Sequence, residues 1–171
     1  MKYALFTLCY LFFGISVSTA QEKTRLSELD AFWQKVSLAV KNGDFASYQA
    51  TCHEDAVLVS GVKGKAYPLT KALLTWKEEF EKTRSGQMKA EVEFQFSQRY
   101  GDETTAHETG MFRYTSSQQE EEPKDAYIHF EGLLVKKEGQ WLLVMEYQKS
   151  SGTVEEWKAL KVNQEKKTAE H

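Results

Sequence analysis

The sequence predicts an α+β domain, in which three helices with a short strand after the second precede four antiparallel strands and a short C-terminal helix. Three observations carry this prediction. Apolar residues recur at helical spacing between residues 26 and 80. From Met88 onward the period changes to two, as in a strand with one buried face. The stretch 125–150 holds two apolar runs joined by Glu138-Gly139, which is typical of a β-hairpin with a tight turn.

The first 20 residues have the pattern of an export signal. Lys2 gives a short positive start, residues 4–17 are almost entirely apolar or hydroxyl-bearing, and Ser18-Thr19-Ala20 is a small-x-small cleavage site. The apolar stretch is too short for a comfortable membrane span, although a retained signal anchor is the alternative. We therefore expect cleavage after Ala20, a secreted or periplasmic protein, and no membrane association after cleavage.

Removing residues 1–20 leaves 151 of the 171 residues, enough for one domain, which we place at 21–161 with a charged, flexible tail at 162–171. Lys2 is the only charge lost, so the net charge changes from −3 to −4, which argues against nucleic acid as a partner. Only Cys52 remains after cleavage, so no internal disulfide can form. For Cys52 a small buried side chain is favoured over a reactive thiol.

The predicted helices have recognisable ends. Ser27 to Asp30 resembles a capping box, and the apolar stripe that follows stops at Asn42-Gly43. Asp44 caps a second, shorter helix that extends to about Cys52. A short buried strand covers residues 56–60, a loop covers 61–65, and a third helix runs from Pro68 to near Gly86.

The strand pattern gives each meander strand a buried face. Residues 88–97 alternate regularly, and a turn at Gly101-Asp102 leads into a strand over 104–115. In that strand the apolar content predicts that the face of Ala106, Gly110 and Phe112 points inward. Glu108 lies on the same face and would then enter the core, although the opposite orientation of the strand stays open. After a polar tip at 116–124 comes the last hairpin, and a capping box at Thr153 starts the C-terminal helix.

A two-residue turn fixes the register of the last hairpin. Pairing outward from Lys137 and Gln140 places Glu131 opposite Glu146 and His129 opposite Gln148. Like charges directly opposite each other on one face are destabilising. The pair therefore calls for a shared proton, a cationic neighbour, a ligand or another register.

Four short motifs, in this order, resemble the nuclear transport factor two-like superfamily, especially its SnoaL-like polyketide-cyclase branch and ketosteroid isomerase relatives. They are Asn42-Gly43-Asp44-Phe45, His53-Glu54-Asp55-Ala56-Val57, Ala106-His107-Glu108-Thr109-Gly110 and Lys137-Glu138-Gly139-Gln140-Trp141. The likeness covers roughly residues 26–150.

This resemblance implies a cystatin-like cone, in which a curved, mainly antiparallel sheet of four to six strands wraps around the helices. It also implies a pocket open at one end, commonly a homodimer through the sheet, and in the enzymes acidic or histidine side chains for proton transfer. The sequence departs from the family at His129 and Glu131, where relatives often have apolar residues, and in its extra helix at 153–161. The tyrosine and two aspartates of ketosteroid isomerase have no unambiguous counterparts.

Two sets of ionisable residues are candidates for catalysis. Glu108 on an apolar face would have a raised pKa and could act as a general acid or base, unless its strand faces the other way. His129, Glu131 and Glu146 would lie close together in the predicted register and could shuttle protons or, less favourably, bind a divalent metal. The alternative for these three is a polar patch on the outer sheet face, with Lys149 or Arg113 relieving the repulsion.

The aromatic residues are expected to be shared between core and pocket wall, and together they favour an apolar or ring-containing ligand. The sequence has no zinc-protease or deaminase motif, no nucleophile elbow and no phosphate-binding loop, so nucleophilic and nucleotide chemistry are disfavoured. We expect neither cofactor nor metal. The predicted pocket residues are Trp33, Tyr48, Tyr67, Trp76, Phe112 and Tyr127.

Three functions stay open. The leading hypothesis is an exported, cofactor-free protein that binds a small apolar molecule. The second is an isomerase, dehydratase or cyclase that uses Glu108, or His129 with Glu131 and Glu146, as acid and base. The third is a non-catalytic dimer whose sheet face is the interface.

Overall fold

The structure, a computed structural model, describes residues 6–119 and 121–169, with side chains for 19–119 and 121–162. The helices are α1 (Phe6–Asn42), α2 (Phe45–Gln49), α3 (Leu69–Arg84) and α4 (Val154–Ala169). The strands are β1 (Cys52–Ser60), β2 (Lys65–Pro68), β3 (Met88–Gly101), β4 (Thr105–Gln118), β5 (Lys124–Lys137) and β6 (Gln140–Ser151).

One six-stranded sheet has the order β2-β1-β6-β5-β4-β3. Its neighbours pair antiparallel except β1 and β6, which run parallel, so the predicted α+β class is confirmed and the sheet is mixed. The edge strand β2 was missed, because four residues are too few to show a period. Cys52, predicted on the second helix, begins β1 instead.

Helix α1 begins well before the predicted start. Ser27 lies inside the helix, so its prediction as an N-cap is wrong; the chain has neither glycine nor proline between residues 15 and 42 to end a helix there. Side chains 19–24 are exposed, and Arg25 is the first buried residue among the described side chains of this helix. Within the described part of the chain, no helix combines the length and hydropathy needed to cross a membrane.

The junction between α1 and α2 forms as predicted. Gly43 has a φ of 63°, and the Asp44 N–H donates to the Ala39 carbonyl at 2.8 Å, which closes α1. The Asp44 carboxylate in turn accepts from the Ser47 N–H at 3.0 Å and caps α2. A Cβ on Gly43 would lie only 2.4 Å from the Arg84 backbone N, so this glycine lets the ends of α1 and α3 approach each other.

The inner face of the sheet is the one that the alternation predicts. Ala90 and Val92 on β3 and Ala106 on β4 are buried beneath the helices, and Glu108 has 0% of its surface exposed. The predicted inward orientation of Glu108 is thus confirmed.

Strand β6 contains two β-bulges that the sequence analysis did not predict. The two-residue turn and the pairing of Lys137 with Gln140 are confirmed, with φ of 53° at Glu138 and 78° at Gly139. Farther along, Val144 and Lys149 are extra residues on β6, each without a partner on β5.

The bulge at Val144 reverses which side chains of β6 point inward. Glu131 therefore pairs with Tyr147, and Glu146 pairs with Gly132, so the predicted Glu131–Glu146 pair is wrong. The two carboxylates lie on opposite faces of the sheet, with Glu146 on the inner face.

Helix α4 packs on the outer face of the sheet. The predicted capping box is present, since the Thr153 N–H donates to Glu156 Oε2 at 2.8 Å and the Glu156 N–H donates to Thr153 Oγ1 at 3.2 Å. Trp157, only 7% exposed, contacts the Tyr127 ring at a centroid distance of 6.0 Å. With 16 residues α4 is longer than predicted, its backbone continuing to Ala169; residues 170–171 of the predicted tail lie outside the described part.

Candidate functional site

A cavity of about 280 Å³ lies between α1, α3 and the inner face of the sheet. Two of its lining residues, Glu79 on α3 and Ala126 on β5, are exposed and mark its mouth. The remaining wall is mostly apolar and aromatic. Its large apolar members are Trp33, Val36, Val40, Tyr48, Trp76, Phe80, Val92, Phe94, Phe112, Ile128, Phe130 and Leu143.

The structure places Trp33, Tyr48, Trp76 and Phe112 around this cavity and leaves the other two predicted pocket residues outside it. Tyr127 points to the outer face, where it packs on Trp157. Tyr67 lies on the edge strand β2.

Four further rings line the cavity that the prediction had not included, namely Phe80, Phe94, Tyr114 and Phe130. Phe94 follows the inward parity of Val92, and Phe80 lies one helical turn after Trp76 on α3. These spacings were the signal that could have identified both residues.

Glu146 is the carboxylate on the inner wall of the cavity. The Gln148 side-chain Nε2 donates to Glu146 Oε1 at 2.7 Å, and no described residue donates to Oε2. Burial raises the pKa of Glu146, and the hydrogen bond from Gln148 offsets part of that rise. Glu146 is only partly exposed, and it lines the cavity.

Two other ionisable groups near Glu146 are neutral at physiological pH. Burial, with a further contribution from the charge of Glu146, raises the pKa of Tyr48 well above its ordinary value. Burial also raises the pKa of the Cys52 thiol to about 11, so Cys52 is not an activated nucleophile.

The described residues that line the cavity include two carboxylates and no lysine, arginine or histidine. The second carboxylate, Glu79 at the mouth, accepts a hydrogen bond from the Tyr114 hydroxyl at 3.4 Å. Burial, and then the neighbouring charge of Glu79, raises the pKa of Tyr114 to about 12. The described cavity wall therefore provides two acidic groups and no basic side chain.

Glu108 is buried as predicted but does not line the cavity. Trp33 Nε1 donates to its Oε2, and Arg99 Nε donates to its Oε1 at 2.5 Å. Arg99 also donates to Asp30 on α1 through Nη1. Because both oxygens of Glu108 are occupied, the carboxylate connects α1 to β3 and β4 rather than facing a guest molecule.

The other predicted acid–base residues lie on the outer face. Glu131 accepts from Lys149 Nζ at 2.7 Å and contacts His107 Nε2 at 3.1 Å; the Lys149 hydrogen bond is the main reason that its pKa is lowered. His129 contacts Glu156 at 3.4 Å. The predicted grouping of His129, Glu131 and Glu146 is thus wrong, and the first two belong to a polar patch of the kind considered as the alternative.

Solved structures similar to this one come from several bacteria. A conserved protein from Planctomyces limnophilus superposes with a TM-score of 0.62 at 11% identity, covering 73% of this chain and 94% of that chain. ActVI-ORFA from Streptomyces coelicolor gives 0.59 at 16% identity, covering 72% and 95%. An NTF-2 like protein of unknown function from Shewanella oneidensis gives 0.56 at 16% identity, covering 72% and 97%.

At these identities the likeness is one of fold alone. No protein-family model matches the sequence, and no curated protein is significantly similar to it. A fold does not determine the chemistry of its cavity, which depends on the residues that line it.

The link through Glu108 predicts a large stability effect. Glu108→Leu leaves the half-buried Arg99 guanidinium and the Trp33 N–H without their partner, and removing one member of a buried pair costs about 3–5 kcal/mol. The double variant Glu108→Leu/Arg99→Met should be less destabilised than Glu108→Leu alone, because it leaves no stranded charge. Urea denaturation measures both.

Glu78→Ala is the control, since Glu78 belongs to an exposed helical ion pair with Lys82 and its loss should leave the unfolding midpoint nearly unchanged. A loss in Glu108→Leu of less than about 1 kcal/mol would contradict a structural role for this carboxylate.

The raised pKa of Glu146 predicts a pH effect of definite sign. The folded protein holds this proton more tightly than the unfolded chain, so the contribution of Glu146 to stability falls as pH rises from 4.5, its ordinary pKa, through the raised value. In the variant Glu146→Gln the side chain at position 146 has no proton to release. Its free energy of unfolding should therefore increase relative to the wild type as pH rises through that interval, as measured by urea denaturation between about pH 4 and 8.

Glu131→Gln is the matched control with the opposite sign. The pKa of Glu131 is lowered, so its carboxylate stabilises the fold above its unfolded-state pKa and loses that effect as pH falls. This variant should lose stability relative to the wild type as pH rises. Parallel pH profiles for Glu146→Gln and the wild type would show that Glu146 is not buried as described.

Proposed function

We propose that this chain, which has the nuclear transport factor two-like fold of the structures it matches, binds a small, largely apolar molecule in the cavity between its helices and sheet. The observation that carries the proposal is the cavity, whose aromatic wall surrounds the polar side chains of Glu146 and Gln148. Apolar walls with a few convergent polar groups are typical of small-molecule sites. A dry cavity of about 150 Å³ accepts benzene. At about 280 Å³ this one has room for a molecule of one or two rings.

The packing around the cavity supports the same proposal. Protein interiors are normally close-packed, and atoms that line an empty space lose dispersion contacts. Trp33, Phe94 and Phe130 pack against each other with ring centroids 4.5–5.6 Å apart, and these three rings line the cavity together with Tyr48 and Trp76. A guest molecule would restore the missing contacts.

A second candidate function is cofactor-independent catalysis by proton transfer, such as an isomerisation, dehydration or cyclisation. Its support is Glu146, a carboxyl with a raised pKa on the wall of an apolar cavity, as general acid–base catalysis near neutral pH requires. The bond from Gln148 would orient the carboxyl toward a substrate. Glu108 and His129 have no part in this version, since both lie outside the cavity.

The binding proposal predicts that the neutral two-ring probe 2-naphthol binds by isothermal titration calorimetry with a negative heat-capacity change. At roughly −0.5 kcal/mol for each of its about eleven non-hydrogen atoms, the dissociation constant should be on the order of 0.1 mM. Val92→Phe, which adds a ring on the cavity wall, should abolish this binding. Leu74→Phe is the matched control because Leu74 is 77% exposed, and it should leave binding unchanged.

If the wild type gives neither heat nor thermal stabilisation with 2-naphthol, the predicted binding of neutral rings is wrong. If Val92→Phe binds 2-naphthol as well as the wild type does, the cavity is not the binding site. The variant Glu146→Gln distinguishes the two candidate functions. A catalyst would lose turnover in this variant and keep most of its affinity, whereas a binding protein would form no product in either form.

We further propose that residues 1–20 are an export signal removed after Ala20. The support is that the described side chains 19–24, next to the cleavage site, are exposed and that Arg25 is the first buried one among the described side chains of α1. The full chain expressed in a bacterium should yield an exported protein whose mass corresponds to a chain that starts at Gln21. Ala20→Arg should block this processing, because the cleavage site needs a small residue. An exported protein that retains Met1 would refute the proposal.

A homodimer through the sheet also remains a proposal. Helix α4 covers one part of the outer face, and the rest presents partly exposed apolar residues such as Val57 and Leu133. Light scattering that finds a monomer at all concentrations would exclude it.

A further inference from the structure

Both charged side chains among the described cavity residues are acidic. Glu146 lies on the inner wall and Glu79 at the mouth, and the described lining contains no basic side chain. Lys82 on α3 pairs mainly with Glu78, at 2.7 Å, and the charge of Glu79 makes the smallest contribution to the raised pKa of Lys82. Arg113 lies on the outer face of the sheet, where it contacts Trp157. A cleft with low-dielectric walls and charges of one sign focuses the field on whatever enters it. This field favours positively charged guests.

The cavity wall also presents aromatic rings near the acidic group. Tyr48, Trp76 and Phe80 form a corner, with centroids 6.1 Å apart for Tyr48 and Trp76 and 5.1 Å apart for Tyr48 and Phe80. Glu146 lines the same cavity as this corner, and its charge adds to the rise in the pKa of the Tyr48 hydroxyl. Aromatic faces attract ammonium groups within about 6 Å of a ring centroid, most strongly where water is excluded.

The hydrogen bonding of Glu146 leaves one oxygen for a guest. Oε1 accepts from Gln148, while Oε2 accepts from no described residue. An N⁺–H donor at Oε2 would form a charge-assisted hydrogen bond, roughly twice as strong as the neutral bond that a hydroxyl would form. A carboxylate guest would meet like charge with no cation to relieve it, which is a means of rejecting the wrong ligand.

We infer that the molecule bound in this cavity is a protonated amine on an apolar body of one or two rings, with its nitrogen at Glu146 and its ring in the aromatic corner. This inference rests on the proposed binding function and narrows it to one chemical class. Neutral ring compounds bind more weakly to the same cavity, and anionic ones are excluded.

Three indole probes that differ only in their end group test the inference: tryptamine, indole-3-ethanol and indole-3-acetate. Titration calorimetry near pH 7, where the tryptamine nitrogen carries its proton, should give at least about tenfold tighter binding for the amine than for the alcohol. The acid should bind more weakly than either. Raising the salt concentration should weaken amine binding and leave alcohol binding nearly unchanged, and this readout needs no variant.

Glu146→Gln should reduce tryptamine affinity at least about tenfold and change indole-3-ethanol affinity by less than about threefold. Glu131→Gln is the control because it removes the same charge from the outer face of the sheet, where it should leave the preference for the amine intact. Circular dichroism confirms that both variants are folded.

The outcomes distinguish failure of the amine inference from failure of the proposed binding function. Equal affinities for the three indoles, preference for the acid, or an amine preference that survives Glu146→Gln would overturn the amine inference while binding itself stands. Binding of 2-naphthol without binding of any indole would also overturn it. If 2-naphthol and all three indoles fail to bind the wild type, the proposed binding function fails as well.

Discussion

The attachment of α1 to the sheet through Trp33 is the constraint on which the interior depends. The indole N–H donates to the fully buried Glu108, and the ring packs against Phe94 at 4.5 Å. Arg99 completes the link, because it binds Glu108 and Asp30 at once. A buried carboxylate is costly without such partners, so helix and strands cannot separate without exposing or stranding a charge. The position of α1, and with it the width of the cavity, is fixed at this point.

Much of the fold could be predicted because its elements have strong local periods. The alternation from Met88 to Phe96 and the tight turn at Glu138-Gly139 specify strand faces from residue type alone. The start of α1 and the edge strand β2 could not be predicted in the same way. Residues 15–42 contain no helix breaker, and β2 is stabilised by pairing with β1 rather than by its own pattern.

The candidate site was predicted only in part, because the bulges in β6 left no mark in the sequence. Val144 and Met145 are both apolar, so nothing local distinguishes an unpaired residue from a paired one. The one hint was the conflict that regular pairing produced, with two glutamates opposite each other. Glu146 was predicted as a site residue because it was expected to pair with Glu131. It lines the cavity because that pairing does not occur.

The bulge at Val144 also means that the interior chemistry of this domain depends on how one strand pairs with its neighbour. If β6 paired with β5 without the bulge, at the same chain length, the Glu146 carboxylate would turn toward the outside and the side chain of Met145 would take its place opposite Gly132. Such a change of register would leave the cavity residues of the helices and of β3 to β5 in place while replacing a carboxylate on the inner wall with an apolar side chain. Among chains of this architecture, the presence or absence of one bulge in the final strand can therefore alter ligand preference more than many substitutions in the wall.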